Sequence, residues 1–286
     1  NRGWSEPHLV SYMESHDEER LMYKNLTYGN ASGDYDITDF STALRRVEEA
    51  AAFFFTVPGP KMIWQFEEVG YDYSIDYNGR TGNKPIRWDY VPWRNRTFAV
   101  FQTLIKLRRE QPVFNTSDFT MNVAGPFKQI ALNDTSMDVC IIGNFDVINQ
   151  QGDPSFSRTG TWYDYFTGNI LEVTDVNTPI ELEPGEYHIY TTKPLKTPDL
   201  PLSVFTPPSR MQKAEVYPNP AVDKVHIQTQ TRMGLIEVYD LSNRLVKRIS
   251  PGCTDYPLDI SGLTGGIYIL KIKTLEGFSV CKVVKQ

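Results

Sequence analysis

Between residues 193 and 212 the chain carries Pro194, Pro198, Pro201, Pro207 and Pro208 and shows neither a helical nor a strand period. Proline fixes its own φ and has no amide proton to donate, so no helix and no inner strand runs through such a stretch. The segment from 195 to 212 reads as a stiff, extended linker, and the sequence on either side of it must bury its own core. The 286 residues allow for that, since at about 150 per domain they suggest two domains or three small ones. Apolar residues make up 40%, enough to build packed interiors and to exclude disorder as the main state. A net charge of −6 argues against a broad phosphate-binding surface, so nucleic acid is not an expected partner. The longest fully apolar run, Ala50 to Phe55, is far too short to cross a bilayer, and no transmembrane segment is expected. Cys140, Cys253 and Cys281 are too few for a disulfide framework, and the histidines lack metal-ligand spacing. Neither a metal nor another cofactor is expected. The chain opens on Asn1, as a processed product or a fragment does.

Three zones follow from the periodicity. In the first, residues 1–112, Phe40, Leu44, Val47, Ala51 and Phe54 recur at steps of three and four, which predicts a helix over 39–55 with Asp39 as its N-cap. Pro58-Gly59-Pro60 stops it. Lys61 to Phe66 reads as a short apolar strand, and a second helix is expected from Arg96 to Glu110, buried through Phe98, Phe101, Leu104 and Ile105. Lys106, Arg108 and Arg109 stand where that helix's own C-terminal dipole favours cations. Upstream, Tyr12-Met13-Glu14-Ser15-His16-Asp17 reads as a strand ending in His-Asp. Strand, helix, strand, helix is the grammar of a parallel α/β structure. Residues 113–194 change to short alternating runs punctuated by Thr167-Gly168-Asn169 and Glu183-Pro184-Gly185, which predicts an antiparallel β-sandwich. Residues 213–286 carry six further strand-like runs and read as a small all-β sandwich. The run Asp34-x-Asp36-x-x-Asp39 lacks the glycine and distal glutamate of a calcium loop, and Asp39 is already explained as a cap.

The chemistry concentrates in the first zone. Val57-Pro58-Gly59-Pro60-Lys61-Met62-Ile63-Trp64-Gln65-Phe66-Glu67 follows the His16-Asp17 motif after one helix, and Leu104-Ile105-Lys106-Leu107-Arg108 closes the series. The ordered set resembles the last stretches of the α-amylase family, glycoside hydrolase family 13. The resemblance implies that residues 1–112 are the terminal strand–helix units of a TIM barrel, a (β/α)8 fold, followed by that family's all-β domain. It implies that Asp17 corresponds to the catalytic carboxylate that stabilises an oxocarbenium-like transition state, and His16 to the histidine that hydrogen-bonds the same sugar. Glu14 matches a glutamate of structural role. Phe66 stands where many members have glycine, so Glu67, Glu68, Tyr71 and Asp72 are candidates for the rim. Tyr71 and Trp88 are further sugar-contacting candidates, although Trp88 and Trp93 equally suit packing of their loop. The nucleophile and the acid/base of the resembled family sit on earlier barrel strands, and no Asp or Glu of this chain matches their motifs. The chain alone is therefore expected to hydrolyse nothing.

The third zone carries Val216-Tyr217-Pro218-Asn219-Pro220, Ile236-Glu237-Val238-Tyr239-Asp240-Leu241, Gly265-Gly266-Ile267-Tyr268 and a final Lys282-Val283-Val284-Lys285, in that order. The series resembles the C-terminal sorting domain of the type IX secretion system of Bacteroidetes. That implies a secreted or cell-surface protein, exported through the periplasm and outer membrane, with the secretion machinery as one partner and an α-glucan or oligosaccharide as the other. The resemblances together describe the C-terminal fragment of a secreted, retaining α-glycosidase. A glucan-branching transglycosidase and a non-catalytic glucan-binding or surface-display protein are the alternatives that fit the same residues.

Overall fold

The computed structural model describes residues 8–92, 94–201, 214–240, 244–274 and 277–286. Among these, three α-helices lie in the first half: α1 (Leu21–Tyr28), α2 (Phe40–Thr56) and α3 (Asn95–Glu110). Asp39 caps α2 as expected, its carboxylate accepting from Thr42 N at 2.9 Å and Thr42 Oγ1 at 3.2 Å. The helix ends at Thr56, just before Pro58-Gly59-Pro60. The face that α3 buries is rotated from expectation: Thr97, Val100, Phe101, Leu104 and Leu107 are inside, while Phe98 and Ile105 are half-buried. Arg108 does not serve its own helix. Its guanidinium donates to the carbonyls of Phe55 (3.0 Å), Val57 (2.9 Å) and Gly59 (2.6 Å), groups left without helical partners where α2 stops.

The two strands expected at Tyr12–Asp17 and Lys61–Phe66 are not formed. A single parallel bridge, Ser11 to Lys61, is what remains of their pairing, with Ser11 N donating to Pro60 O at 3.0 Å and Met62 N to Ser11 O at 2.9 Å. A strand needs a neighbour to satisfy its backbone, and among the described residues neither segment has one on its outer side. Leu9, Val10, Tyr12 and Ile63 are accordingly exposed.

A small hairpin, β1 (Ala31–Ser32) with β2 (Tyr35–Asp36), precedes α2. After α3 the chain is all strand: β3 (Phe119–Asn122), β4 (Phe127–Leu132), β5 (Val139–Asn144), β6 (Gln150–Gly152), β7 (Gly160–Asp164), β8 (Ile170–Val173), β9 (Ile180–Leu182) and β10 (Tyr187–Thr191). Six of them form one antiparallel sheet in the order β3-β4-β5-β10-β7-β8, and β6 pairs with β9 in a separate ribbon. Central β5 is buried along its whole length and alternates by residue. Val139 and Ile141 join Leu44, Val47, Phe101 and Leu104 of the helices in one core, while Cys140 and Ile142 face a second core with Trp162, Leu182 and Phe156. Helices and sheet thus share an interior, and the change of character after residue 112 is a change from helix to strand within one compact unit, Asn1–Phe205. Residues 195–201 of the expected linker belong to it too, because Leu195 and Leu200 pack on the first core. Residues 202–212 of that linker, and Trp93, lie outside the described residues.

Two charged clusters tie the unit together. Arg46 of α2 is buried and donates to Glu49 Oε2 (2.8 Å) and to the carbonyls of Asn144 (2.8 Å), Phe145 (2.7 Å) and Asp146 (3.1 Å) beyond β5. In β10, the His188 ring meets Asp164 at 2.8 Å through Nδ1 and Glu186 at 2.9 Å through Nε2, and stacks on Tyr190. Burial alone would push the imidazole's pKa down, but the bonds and charges of the two carboxylates outweigh it and raise the value. A raised histidine contributes its full stability below about pH 6.5 and loses it as pH rises through the folded-state value. Glu67 and Glu49, pushed up to about 8 by burial, lose stability in the same direction as pH rises from the ordinary carboxylate range. Thermal melting of this unit is therefore expected to weaken from pH 6.5 to pH 9, with H188Q flattening the part of the slope above pH 7. Equal slopes for wild type and H188Q would show that the histidine is not a protonated clamp.

The second compact unit, Thr206–Gln286, is the expected small sandwich. Its strands are β11 (Glu215–Tyr217), β12 (Lys224–Gln228), β13 (Met233–Tyr239), β14 (Leu245–Ile249), β15 (Asp255–Asp259), β16 (Gly266–Thr274) and β17 (Gly277–Lys285). They make two sheets, β11-β12-β15 and β14-β13-β16-β17. Strict alternation in β12 sends Val225 and Ile227 inward to meet Ile236, Val238, Leu270, Ile272 and Val283. The turn expected at Ser242-Asn243 lies outside the described residues. The fold as described is mostly β-sheet with few helices, and no helix among the described residues is long and apolar enough to cross a membrane.

Candidate functional site

The His16-Asp17 motif sits on a tight loop between the Ser11–Lys61 bridge and α1. Glu14 is buried and turned inward: its Oε1 accepts from Leu21 N at 2.8 Å, its Oε2 from Arg20 at 3.1 Å. Helix α1 has no cap from its own N-cap residue, Arg20, so a carboxylate seven residues upstream of Leu21 supplies it. Burial raises the pKa of Glu14, opposed by the Leu21 amide and Arg20. Ser15 then reverses the chain, its Oγ accepting from Asp17 N at 3.1 Å.

The reversal puts the next two side chains outside. His16 and Asp17 are 74% and 66% exposed, with His16 Nε2 3.1 Å from Asp17 Oδ2. The imidazole tilts over Trp64 at 5.9 Å. Arg80 NH2 donates to the Asp17 carbonyl at 2.8 Å and lies 3.8 Å from its Oδ1. A carboxylate held on the surface between an imidazole and a guanidinium, beside an indole, is equipped to accept from hydroxyls of a polar ligand while a ring packs on its face.

Below that surface lies a second carboxyl with a different character. Glu67 is only 1% exposed; its Oε2 accepts from Trp64 N at 2.9 Å and its Oε1 has no hydrogen-bond partner. Burial pushes its pKa up to about 8, with Glu14 adding to the rise and the Trp64 amide opposing it, so this group is protonated at neutral pH. It props the Trp64–Phe66 turn from inside and does not stand at a rim. The backbone of that turn is left-handed at Phe66, φ 63°, the region that favours the glycine absent here.

Tyr71 is a correction. It is 1% exposed, stacked on Phe66 at 5.5 Å, with its hydroxyl donating to Pro85 O at 2.6 Å and Arg20 over its ring. An apolar neighbourhood of Phe66 and Val69 drew the ring inside, where no ligand reaches it. Asp72 is also engaged, accepting from Tyr90 OH at 2.7 Å and Arg94 NH2 at 2.8 Å. Trp88 is 67% exposed and touches Phe66 edge-on at 4.9 Å. It borders an open hollow of about 430 Å³ with Ile63, Trp64, Phe66 and Glu68. The Trp64–Phe66 turn thus has the His16 ring on one residue and the Trp88 ring on another. Arg80 escaped the sequence reading; the signal that bends it back is Asn78-Gly79, both left-handed at φ 58° and 78°. Among the described residues no three His, Cys, Asp or Glu side chains gather as a metal site.

The chain is similar in part to solved structures. A cyclomaltodextrinase is 19% identical, with a TM-score of 0.50, over 65% of this chain and 29% of that one. The γ-CGTase of an alkalophilic Bacillus clarkii is 14% identical, with a TM-score of 0.49, over 96% of this chain and 39% of that one. An α-amylase from Geobacillus thermoleovorans, complexed with acarbose, is 14% identical, with a TM-score of 0.45, over 64% and 38%. The chain spans well under half the length of each of these structures. No curated protein sequence matches it. Residues 215–286 match the family described as the secretion system C-terminal sorting domain. The C-terminal unit is a sorting domain. It is of the type IX kind, and it marks the protein as secreted or displayed at the cell surface. The sorting domain's Gly-Gly-Ile-Tyr motif enters β16, where Tyr268 is buried and its hydroxyl donates to Thr264 O at 2.9 Å, closing the turn that starts the strand.

Proposed function

We propose that the chain is the C-terminal part of a secreted α-amylase-like glycoside hydrolase acting on α-glucans by a retaining mechanism. In this reading residues 1–112 supply the last strand–helix units of the barrel, 113–194 the all-β domain after it, 195–212 the linker and 213–286 the sorting domain. The observation that carries it is the placement of His16 and Asp17. The Glu14–Arg20 pair is buried beneath them, and they are the charged and imidazole groups of their motif that project outward, beside Trp64 and a few residues past a parallel backbone contact. In this reading neighbouring strands complete that contact into barrel strands, at whose ends catalytic groups stand. The apolar residues left open around the contact, Leu9, Val10, Tyr12 and Ile63, are what neighbouring barrel strands would cover.

Retaining cleavage needs a nucleophilic carboxylate and an acid/base about 5 Å apart. In this proposal earlier barrel strands bring them, and Asp17 contributes a third anion that accepts from ring hydroxyls. Its value is greatest when positive charge develops on the distorted sugar. His16 donates to the same ring, Trp88 offers a stacking surface nearby, and Arg80 fixes the backbone that carries Asp17. The purified chain is expected to release no reducing ends from soluble starch, because it holds only the third of these carboxylates. Turnover above the protein-free blank would remove that assignment of roles.

A further inference from the structure

Strand β17 is the edge of its sheet, with β16 as its one strand neighbour among the described residues. An open edge frays unless something ties it down. Here the tie is a side chain. Asn219 Nδ2 donates to Lys282 O at 2.6 Å while its Oδ1 accepts from Val284 N at 2.9 Å. One carboxamide thereby presents the donor and acceptor that a neighbouring strand would present. The backbone continues the pairing two residues on: Ala221 N donates to Val284 O at 2.9 Å, and Gln286 N donates to Ala221 O at 2.9 Å. Residues 219–221 occupy the outer edge along 282–286, with Val283 buried beneath and Asn219 itself on the surface.

We propose that Asn219 is a positioning residue of the export signal: its carboxamide holds Lys282 to Gln286 in the sheet, so that the secretion machinery meets a folded edge strand. The proposal rests on the sorting assignment and adds a role for one residue within it. Only an amide side chain serves both bonds at once, which is a reason for asparagine at this place in Tyr217-Pro218-Asn219-Pro220.

The test uses the whole chain, produced in a bacterium that carries this secretion system, with the exported fraction measured beside amide hydrogen exchange of the purified protein. N219A is expected to speed exchange at the Val284 and Gln286 amides about tenfold, to leave the melting of the rest of the sorting domain in place, and to lower export severalfold. N219D keeps the acceptor for Val284 N but sets a carboxylate against Lys282 O, and is expected between the two. Faster exchange with wild-type export overturns the proposal, and so does unchanged exchange. If N219A unfolds the domain throughout, N219D decides: wild-type export overturns, intermediate export supports. Deleting residues 282–286 separates the two levels, because export that survives it removes the sorting assignment itself.

Discussion

Replacing Asp17 by Asn in the longer protein proposed above is expected to lower kcat on α-glucans by about 10²-fold or more, with kcat/KM falling in parallel. The substitution is nearly isosteric. It leaves the Ser15 turn intact, because Ser15 bonds the backbone amide of Asp17, and Arg80 still reaches the carbonyl. What disappears is the negative charge, which matters most when the sugar carries positive charge. Equal loss in both constants is the signature of an interaction made in the transition state, whereas a rise in KM alone would describe a ground-state contact. Steady-state kinetics on soluble starch distinguish them. An unchanged kcat would end the assignment of Asp17 as a transition-state stabiliser.

R46A is expected to cost the first unit about 3–5 kcal/mol, seen as a fall in its melting temperature of roughly 10 °C. The guanidinium is buried and satisfies three backbone carbonyls as well as Glu49. Removing it takes the side-chain donor from the Phe145 and Asp146 carbonyls and from buried Glu49, and leaves Asn144 O with Gly185 N alone. The neighbouring substitution behaves differently. Burial has pushed Glu49 up to about 8, so at neutral pH it is already uncharged, and E49Q is expected to cost about 1 kcal/mol or less. Similar losses for R46A and E49Q in thermal melts would show that the carbonyl contacts add nothing beyond the Arg46–Glu49 hydrogen bond.

Elements announced by local chemistry were legible in the sequence. Helix α2 combines a five-residue apolar stripe, a capping aspartate and a Pro-Gly-Pro stop, and it came out within a residue of expectation. The long strands β4, β5, β7 and β10 show alternation or β-branched runs and were equally readable. The misses share a cause, which is dependence on distant partners. Helix α1 is built from Leu21-Met-Tyr-Lys-Asn-Leu-Thr-Tyr28, middling helix formers, and the group that caps it arrives from Glu14. Strand β6 is Gln150-Gln-Gly152, with no apolar pattern, and exists because β9 lies beside it. The apolar runs around Tyr12 and Ile63 carry a strand pattern but have no partners outside their single bridge. At the candidate site, His16 and Asp17 are singled out by their motif, and the structure places both on the surface. Tyr71 was misread because a tyrosine beside acidic residues looks the same whether its ring faces solvent or Phe66. Arg80 lies 63 residues from Asp17, a separation that no local pattern reports.

The anchoring of the Asp17 loop bears on how ligand is met. One glutamate grips the base of the loop and the first turn of the following helix together, and a serine fixes the bend between them. The conformational entropy lost in ordering these residues is therefore incurred when the chain folds, not at an encounter with the sugar proposed above. Loosening that glutamate, with His16 and Asp17 left in place, would move that ordering cost from folding to the binding step of the proposed function.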